Sequence, residues 1–176
     1  PADVVLRVNG LSLPREDQFG VDLDAITLDV RAGEVVGIAG VSGNGQRELL
    51  FALSGEDRRA EPAAIQIGGT HAGPLGPGRR RALGLHFVPE ERLGRGAVPS
   101  LGLAHNLLLT RTDHVRKSGW LDVKGLQAQA SDIIRRFNVK AGGPNAAARS
   151  LSGGNLQKFI VGREIDAKPR LLIVSQ

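Results

Sequence analysis

LSGGNLQKFIVGREI, running from Leu151 to Ile165, is the stretch from which the fold of this chain is read. A Ser-Gly-Gly at the start of a helix offers one phosphate a hydroxyl, unblocked backbone amides and the positive end of the helix dipole. Those residues alone also describe a plain cap and turn. The flanks add weight to the first reading, because an apolar run, Leu171-Leu172-Ile173-Val174, follows the helix after Lys168-Pro169-Arg170 and ends in Ser175-Gln176. A short apolar run of this kind reads as a buried strand.

A second glycine-rich stretch lies upstream, Gly40-Val41-Ser42-Gly43-Asn44-Gly45-Gln46-Arg47. It follows Val35-Val36-Gly37-Ile38-Ala39, expected to be a buried strand, and precedes a helix with Leu49, Leu50 and Leu53 on its inner face. Glycines in this frame let backbone N–H groups converge on an anion at a helix N-terminus. The frame matches G-x-x-x-x-G-K-[ST] up to its last two positions, where Gln46 replaces the lysine and Arg47 the hydroxyl residue. By itself it also reads as an ordinary tight strand-to-helix turn.

Between these motifs, strands are expected at Val4–Val8, Ala25–Val30, Ala64–Ile67 and Leu83–Val88, with a loop at 74–78. Helices are expected over 103–110 and 126–137. In the second, Leu126, Ala130, Ile133, Ile134 and Phe137 share one face. A linker rich in Gly, Ala and Pro covers 141–150, and a helix runs from after Ser152 to about Asp166. The order predicts an α/β fold with a helical subdomain.

The motifs, their order and their spacing resemble the ATP-binding cassette (ABC) family: a Walker A loop, a signature LSGGQ (here LSGGN) and a Walker B strand. Phe87-Val88-Pro89-Glu90-Glu91-Arg92 resembles the segment that stands for the Q-loop in carbohydrate and nucleoside importers. The loop Gly40–Gln46 is similar to the second, C-terminal cassette of their tandem ATP-binding subunits. The resemblance covers nearly the whole chain and implies a P-loop NTPase core at about 1–90 and 151–176 with a helical subdomain at about 91–150. It implies a partial nucleotide-binding domain, ending after Walker B and before the family's D-loop and switch histidine, with a sheet edge that a partner would cover.

In such a family two cassettes face head to tail, and the resemblance carries over residue by residue. Ser152, Gly153, Gly154 and Asn155 match the signature and would touch the γ-phosphate of ATP held by a partner cassette. Gly40, Ser42, Gly43, Asn44 and Gly45 match the phosphate loop, while Gln46 and Arg47 depart from it. Arg47 cannot ligate Mg2+, although its guanidinium is able to meet a phosphate. Ser175 stands in place of the Asp linked to Mg2+, and Gln176 in place of the carboxylate that polarises water. Glu90 stands at or beside the Q-loop position. The chain has no tyrosine, so the aromatic that stacks on adenine in the family is missing unless Phe19 substitutes for it.

The resemblance thus implies a good signature joined to a degenerate ATP pocket, with ATP and Mg2+ as cofactors and Mg2+ mainly at the partner site. It implies a second cassette in the same polypeptide, permease subunits that dock on the helical stretch 101–137, and a substrate-binding protein acting indirectly. The place is the cytoplasmic face of a bacterial inner membrane, and the cargo a simple sugar or nucleoside. The rival reading is a non-hydrolysing nucleotide-binding or docking module.

Composition bounds these readings. The 176 residues suit one domain, and 41% apolar residues suit a packed core. With no cysteine, disulfides, cysteine zinc sites and thiol nucleophiles are excluded, and no metal site is expected in this chain. Net charge is +5, with eighteen Arg against five Lys, which invites phosphates or reflects an Arg-rich genome. Arg79-Arg80-Arg81 is expected to start a solvated helix. DNA maintenance by a related ATPase is disfavoured, because about sixty residues between Glu90 and the signature cannot hold a long coiled coil. No nucleic-acid partner is expected, and no apolar run approaches the ~20 residues of a membrane span.

Overall fold

The computed structural model describes residues 2–111 and 119–176. Residues 112–118, inside the stretch expected to meet a permease, lie outside the described residues. Two compact units divide the chain, Pro1–His86 and Phe87–Gln176.

In the first unit, β1 (Val4–Leu13) pairs antiparallel with β2 (Leu23–Arg31) and with β3 (Ile65–Ile67), and β3 pairs with β4 (Thr70–His71), giving the order β2-β1-β3-β4. Both long strands extend past their expected ends. The reason in β1 is a slip in alternation: Leu6 and Val8 are buried, then Leu11 and Leu13, with the register shifting between Val8 and Leu11. A bulge there, with Gly10 at φ +59, keeps all four leucine and valine side chains on the core face. β3 starts one residue late because Pro62 opens a 3-10 turn over Pro62–Ala64.

The run Val35–Ala39 is not a strand. Val35 is 96% exposed and Ile38 56% exposed. An apolar strand of this type is stable only when neighbours pair both its edges and cover both its faces. The sheet β2-β1-β3-β4 forms without it.

α1 (Gln46–Ser54) buries Leu49, Ala52 and Leu53. α2 (Pro77–Ala82) starts inside the expected loop, with Pro77 in its first turn. The triple-arginine run is correspondingly not all solvated. Arg80 is fully buried, its Nη1 donating to the carbonyls of Ala52 and Leu53, its Nε to Leu75 O and its Nη2 to Gly73 O. It thereby satisfies carbonyls in the last turn of α1, which lack helical partners. Burial pushes the guanidinium down to about 10, against the pull of Asp57.

The second unit has a core of its own. After β5 (Leu85–Val88), which straddles the division, come α3 (Leu103–Asn106), α4 (Val123–Arg136), α5 (Gly153–Asp166) and β6 (Leu171–Val174). The helix expected over 103–110 ends at Asn106 and continues as a 3-10 turn, Leu107–Leu109. Leu103, Leu107, Leu126, Ile133, Leu156 and Phe159 belong to one buried cluster, so α5 shares its core with α3 and α4. The expected face of α4 is the observed one: Leu126, Ala130 and Ile133 are buried, and Ile134 and Phe137 pack against them. Asn106 is fully buried, its Oδ1 accepting from Val98 N at 2.7 Å and its Nδ2 donating to the carbonyls of Val98, Leu101 and Gly102. Two neighbouring charges of α5, Arg163 and Glu164, are buried together and bonded at 2.9 Å, and Arg163 Nη1 also donates to Asn106 O.

Candidate functional site

In the first unit the glycine loop turns into α1 through two left-handed residues, Gly43 at φ +89 and Gly45 at φ +94. A side chain at either position would be strained, so the glycine frame is a backbone requirement here. Gln46, the first residue of α1, folds back over this loop. Its Oε1 accepts from Asn44 N at 3.1 Å, and its Nε2 donates to Val41 O at 3.1 Å. The amide of Asn44, one of the groups that the loop would turn toward an anion, is therefore already bonded from within. Nε2 also lies 2.5 Å from the point where a Cβ on Gly40 would stand, so a side chain there would push the Gln46 amide aside.

Arg47 is turned the other way. Its guanidinium lies over the ring of Phe51, 5.1 Å from the centroid, one turn along the helix. Phe19 is 86% exposed on the loop between β1 and β2. Asp17 Oδ1 accepts from the amides of Phe19 and Gly20, and Val21 N donates to Glu48 Oε1 in the first turn of α1. An exposed aromatic face is thus held on a loop tied to the helix that the phosphate loop leads into.

In the second unit, Ser152 is the cap of α5. Its Oγ accepts from Asn155 N at 3.4 Å and from Asn155 Nδ2 at 2.9 Å, while Asn155 Oδ1 accepts from Lys140 N. Gly153 and Gly154 are exposed, and their amides in the first turn meet no acceptor among the described residues. The hydroxyl proton of Ser152 and two amides are thereby presented together at the positive end of a helix. This is the opposite condition to the phosphate loop, where the side chain of Gln46 takes the contact.

Ser175 follows β6, and its N–H donates to Val88 O at 3.0 Å, so the carboxyl-terminal ends of β5 and β6 lie side by side. Glu90 is exposed in the bend just after β5. The structure therefore brings Ser175 close to the segment that carries Glu90, and Gln176 is exposed beyond it. In neither unit do these positions suit Mg2+. Gln46, Arg47, Ser175 and Gln176 offer no carboxylate, and no group of three His, Asp or Glu able to hold a metal occurs among the described residues.

Two polar residues carry contacts that the sequence did not announce. Arg92 Nε donates to Gln157 Oε1 at 2.6 Å, linking the turn after Glu90 to α5. At the far end of α5, Asp166 accepts from Arg111, Gln129 and Arg136. Burial raises its pKa, but the bonds from Gln129, Arg111 and Arg136 outweigh that and hold its carboxyl below the usual range. No local pattern would have found either contact, since their partners lie between 30 and 65 residues away in sequence.

The family model described as ABC transporter matches residues 23–174. The nucleoside import ATP-binding protein NupA of Lactococcus lactis subsp. cremoris is 37% identical over 178 residues, covering all of this chain and 35% of that protein. The ribose import ATP-binding protein RbsA of Halalkalibacterium halodurans is 32% identical, over all of this chain and 34% of its own length. The chain spans about a third of the curated relatives it matches. Among solved structures, the dimeric bacterial ABC transporter cassette MJ0796 superposes with a TM-score of 0.77 at 18% identity, over 97% of this chain and 73% of that one. The mixed α/β P-loop fold with helical insertions is therefore shared. On the family match and on these relatives, the chain belongs to the ABC transporter family.

Proposed function

We propose that this chain is one cassette of an ABC importer for a simple sugar or a nucleoside, and that it serves ATP held by a partner cassette better than its own. Ser152, Gly153, Gly154 and Asn155 form the element that contacts the γ-phosphate across the cassette interface. Gly40, Ser42, Gly43, Asn44, Gly45, Gln46 and Arg47 form a degenerate phosphate loop, with Phe19 as the adenine-facing aromatic. Ser175 and Gln176 stand where magnesium-linked and water-polarising carboxylates would be needed, and Glu90 takes the Q-loop role. The partner cassette belongs to the same polypeptide. The assembly docks from the cytoplasmic side of a bacterial inner membrane on permease subunits fed by a substrate-binding protein. The layout of a core at about 1–90 and 151–176 with a helical subdomain at about 91–150 is part of this reading.

The single observation that carries the proposal is the contrast between the two glycine turns. The α5 turn keeps two amides open, whereas the α1 turn is bonded to its own Gln46. The chain's own residues thus orient and neutralise a phosphate in trans, with donors aimed at the oxygens that gain charge. Gln176 cannot accept a proton from water, so turnover at this chain's own loop is not expected. In the relatives' names, import of a nucleoside and of ribose supports the cargo class.

The test uses the assembled transporter with Ser152→Arg and Gly154→Asp. A Cβ at Gly154 meets nothing within 4 Å, so the variant should fold, and the carboxylate repels the phosphate. Both changes should abolish ATPase activity. Wild-type turnover in folded variants would remove the α5 turn from the mechanism and favour a docking module without turnover.

A further inference from the structure

The turn that follows β5 is fastened to the signature helix along one face. Within it, Gly96 N donates to Glu91 O at 3.0 Å, Ala97 N to Arg92 O at 2.7 Å and Gly94 N to Ala97 O at 2.8 Å, which closes residues 91–97 into a compact loop. This loop meets α5 twice. Arg92 Nε holds Gln157, and Arg92 Nη1 lies 3.0 Å from where a Cβ on Gly153 would stand. One turn further on, a Cβ on Gly96 would fall 2.9 Å from Ile160 Cδ1. Gly153, Gln157 and Ile160 are spaced four and three residues apart, so they form a single helix face.

The placement of Arg92 is electrostatically unfavourable for the helix, because a cation sits beside the positive end of its dipole. Its Nη atoms have no partner among the described residues, so fold stability supplies little reason for a guanidinium here. What the contact does is mechanical. The root of the loop at Val88 is bonded to Ser175, Glu90 is exposed at the bend, and the Arg92–Gln157 bond is a polar link from there to α5, one turn past its first residue.

We infer that Arg92 is a positioning residue that couples the Glu90 segment to the Ser152–Asn155 turn, so that displacement of one re-aims the other. This deepens the proposed function and rests on its reading of α5 as a phosphate-contacting element. A rigid link of this kind moves a helix start without breaking its cap, because Ser152 Oγ and Asn155 bond within the turn itself.

The experiment measures ATPase activity of the assembled transporter, basal and stimulated by its loaded substrate-binding protein, for Arg92→Gln, Arg92→Lys, Gln157→Leu and Gln157→Glu. Arg92→Gln and Gln157→Leu should each lower stimulation about tenfold, the scale of one lost charge-assisted hydrogen bond. The basal rate and the KM for ATP should stay within about twofold. Gln157→Glu keeps an acceptor for Nε and should retain stimulation. Arg92→Lys keeps the charge but loses the Nε geometry, and should behave like Arg92→Gln. Full stimulation in folded Arg92→Gln, or loss in Arg92→Gln without loss in Gln157→Leu, would overturn the inference. If Arg92→Gln does not fold, Gln157→Leu and Gln157→Glu still decide it. A wild-type rate in Ser152→Arg would instead overturn the parent reading, which keeps the two failures distinct.

Discussion

Removing the side chain of Gln46 should strengthen ATP binding to the 176-residue chain, not weaken it. In the folded loop this side chain makes two hydrogen bonds to the backbone of its own turn, one of them to the Asn44 amide. Each is worth about 0.5–1.5 kcal/mol net, and partial exposure places them toward the lower end. Nucleotide must break about 1–2 kcal/mol of such bonding before the amide is free, and Gln46→Ala abolishes that competition. Some of the gain is lost again, since the loop is less ordered without its internal bonds. The expected result is roughly a three- to tenfold lower Kd. Gln46→Lys removes the same competition and adds a charge-assisted bond worth about 1.5–3 kcal/mol, hence a further roughly ten- to hundredfold. Calorimetric titration with ATP, after each variant is shown to melt cooperatively, measures both steps. Weaker binding in Gln46→Ala, or micromolar magnesium-dependent binding by the wild type, would refute the reasoning.

Full repair of the pocket separates binding from chemistry. Gln46→Lys with Arg47→Ser should leave the ATPase rate of the transporter nearly unchanged, and only the addition of Ser175→Asp and Gln176→Glu should create a second active site. A large rate gain from the double variant would show that Ser175 and Gln176 do not limit turnover. Gly162→Ala should destabilise the second unit by up to about 2 kcal/mol in a denaturant melt. Helix propensity favours alanine by about 1 kcal/mol, but the new Cβ would stand 2.7 Å from Phe137 and 2.9 Å from Ile133, and overpacking costs about 1–3 kcal/mol. A more stable variant would mean that α4 yields readily at this crossing. For Asp166 the folded carboxyl titrates below its unfolded value, so its contribution is present above pH ~4 and is lost as pH falls through the folded pKa. Asp166→Asn should therefore destabilise the protein by about 1–2 kcal/mol at pH 7 and progressively less in acid, read from melts across pH. A deficit independent of pH would exclude the ionised carboxylate as the source.

Much of the second unit was legible along the chain because its determinants are local. The cap at Ser152, the extent of α5 and the inner face of α4 each follow from bonds or periodicity within a few residues, whereas the strand Leu171–Val174 exists through β5, and of its four residues only Leu171 is buried. The glycine frame of the phosphate loop was equally plain, since Gly43 and Gly45 adopt a backbone that other residues resist.

Other features depend on neighbours brought from afar. Val35–Ala39 has the composition of a buried strand, but a strand exists only through its partners, and this run is exposed in the structure. Arg80 looked like one of three solvated arginines. It is buried because carbonyls of α1 and of the 73–75 turn converge where only a fork of donors satisfies them. The sequence alone determined that a Ser-Gly-Gly cap stands before α5 and that the glycine frame before α1 carries Gln46 and Arg47 at its last two positions. Only the tertiary structure decided that Gln46 closes that loop on itself and that Arg92 reaches Gln157, 65 residues away, because a side chain's choice among polar partners is set by which backbone packs beside it.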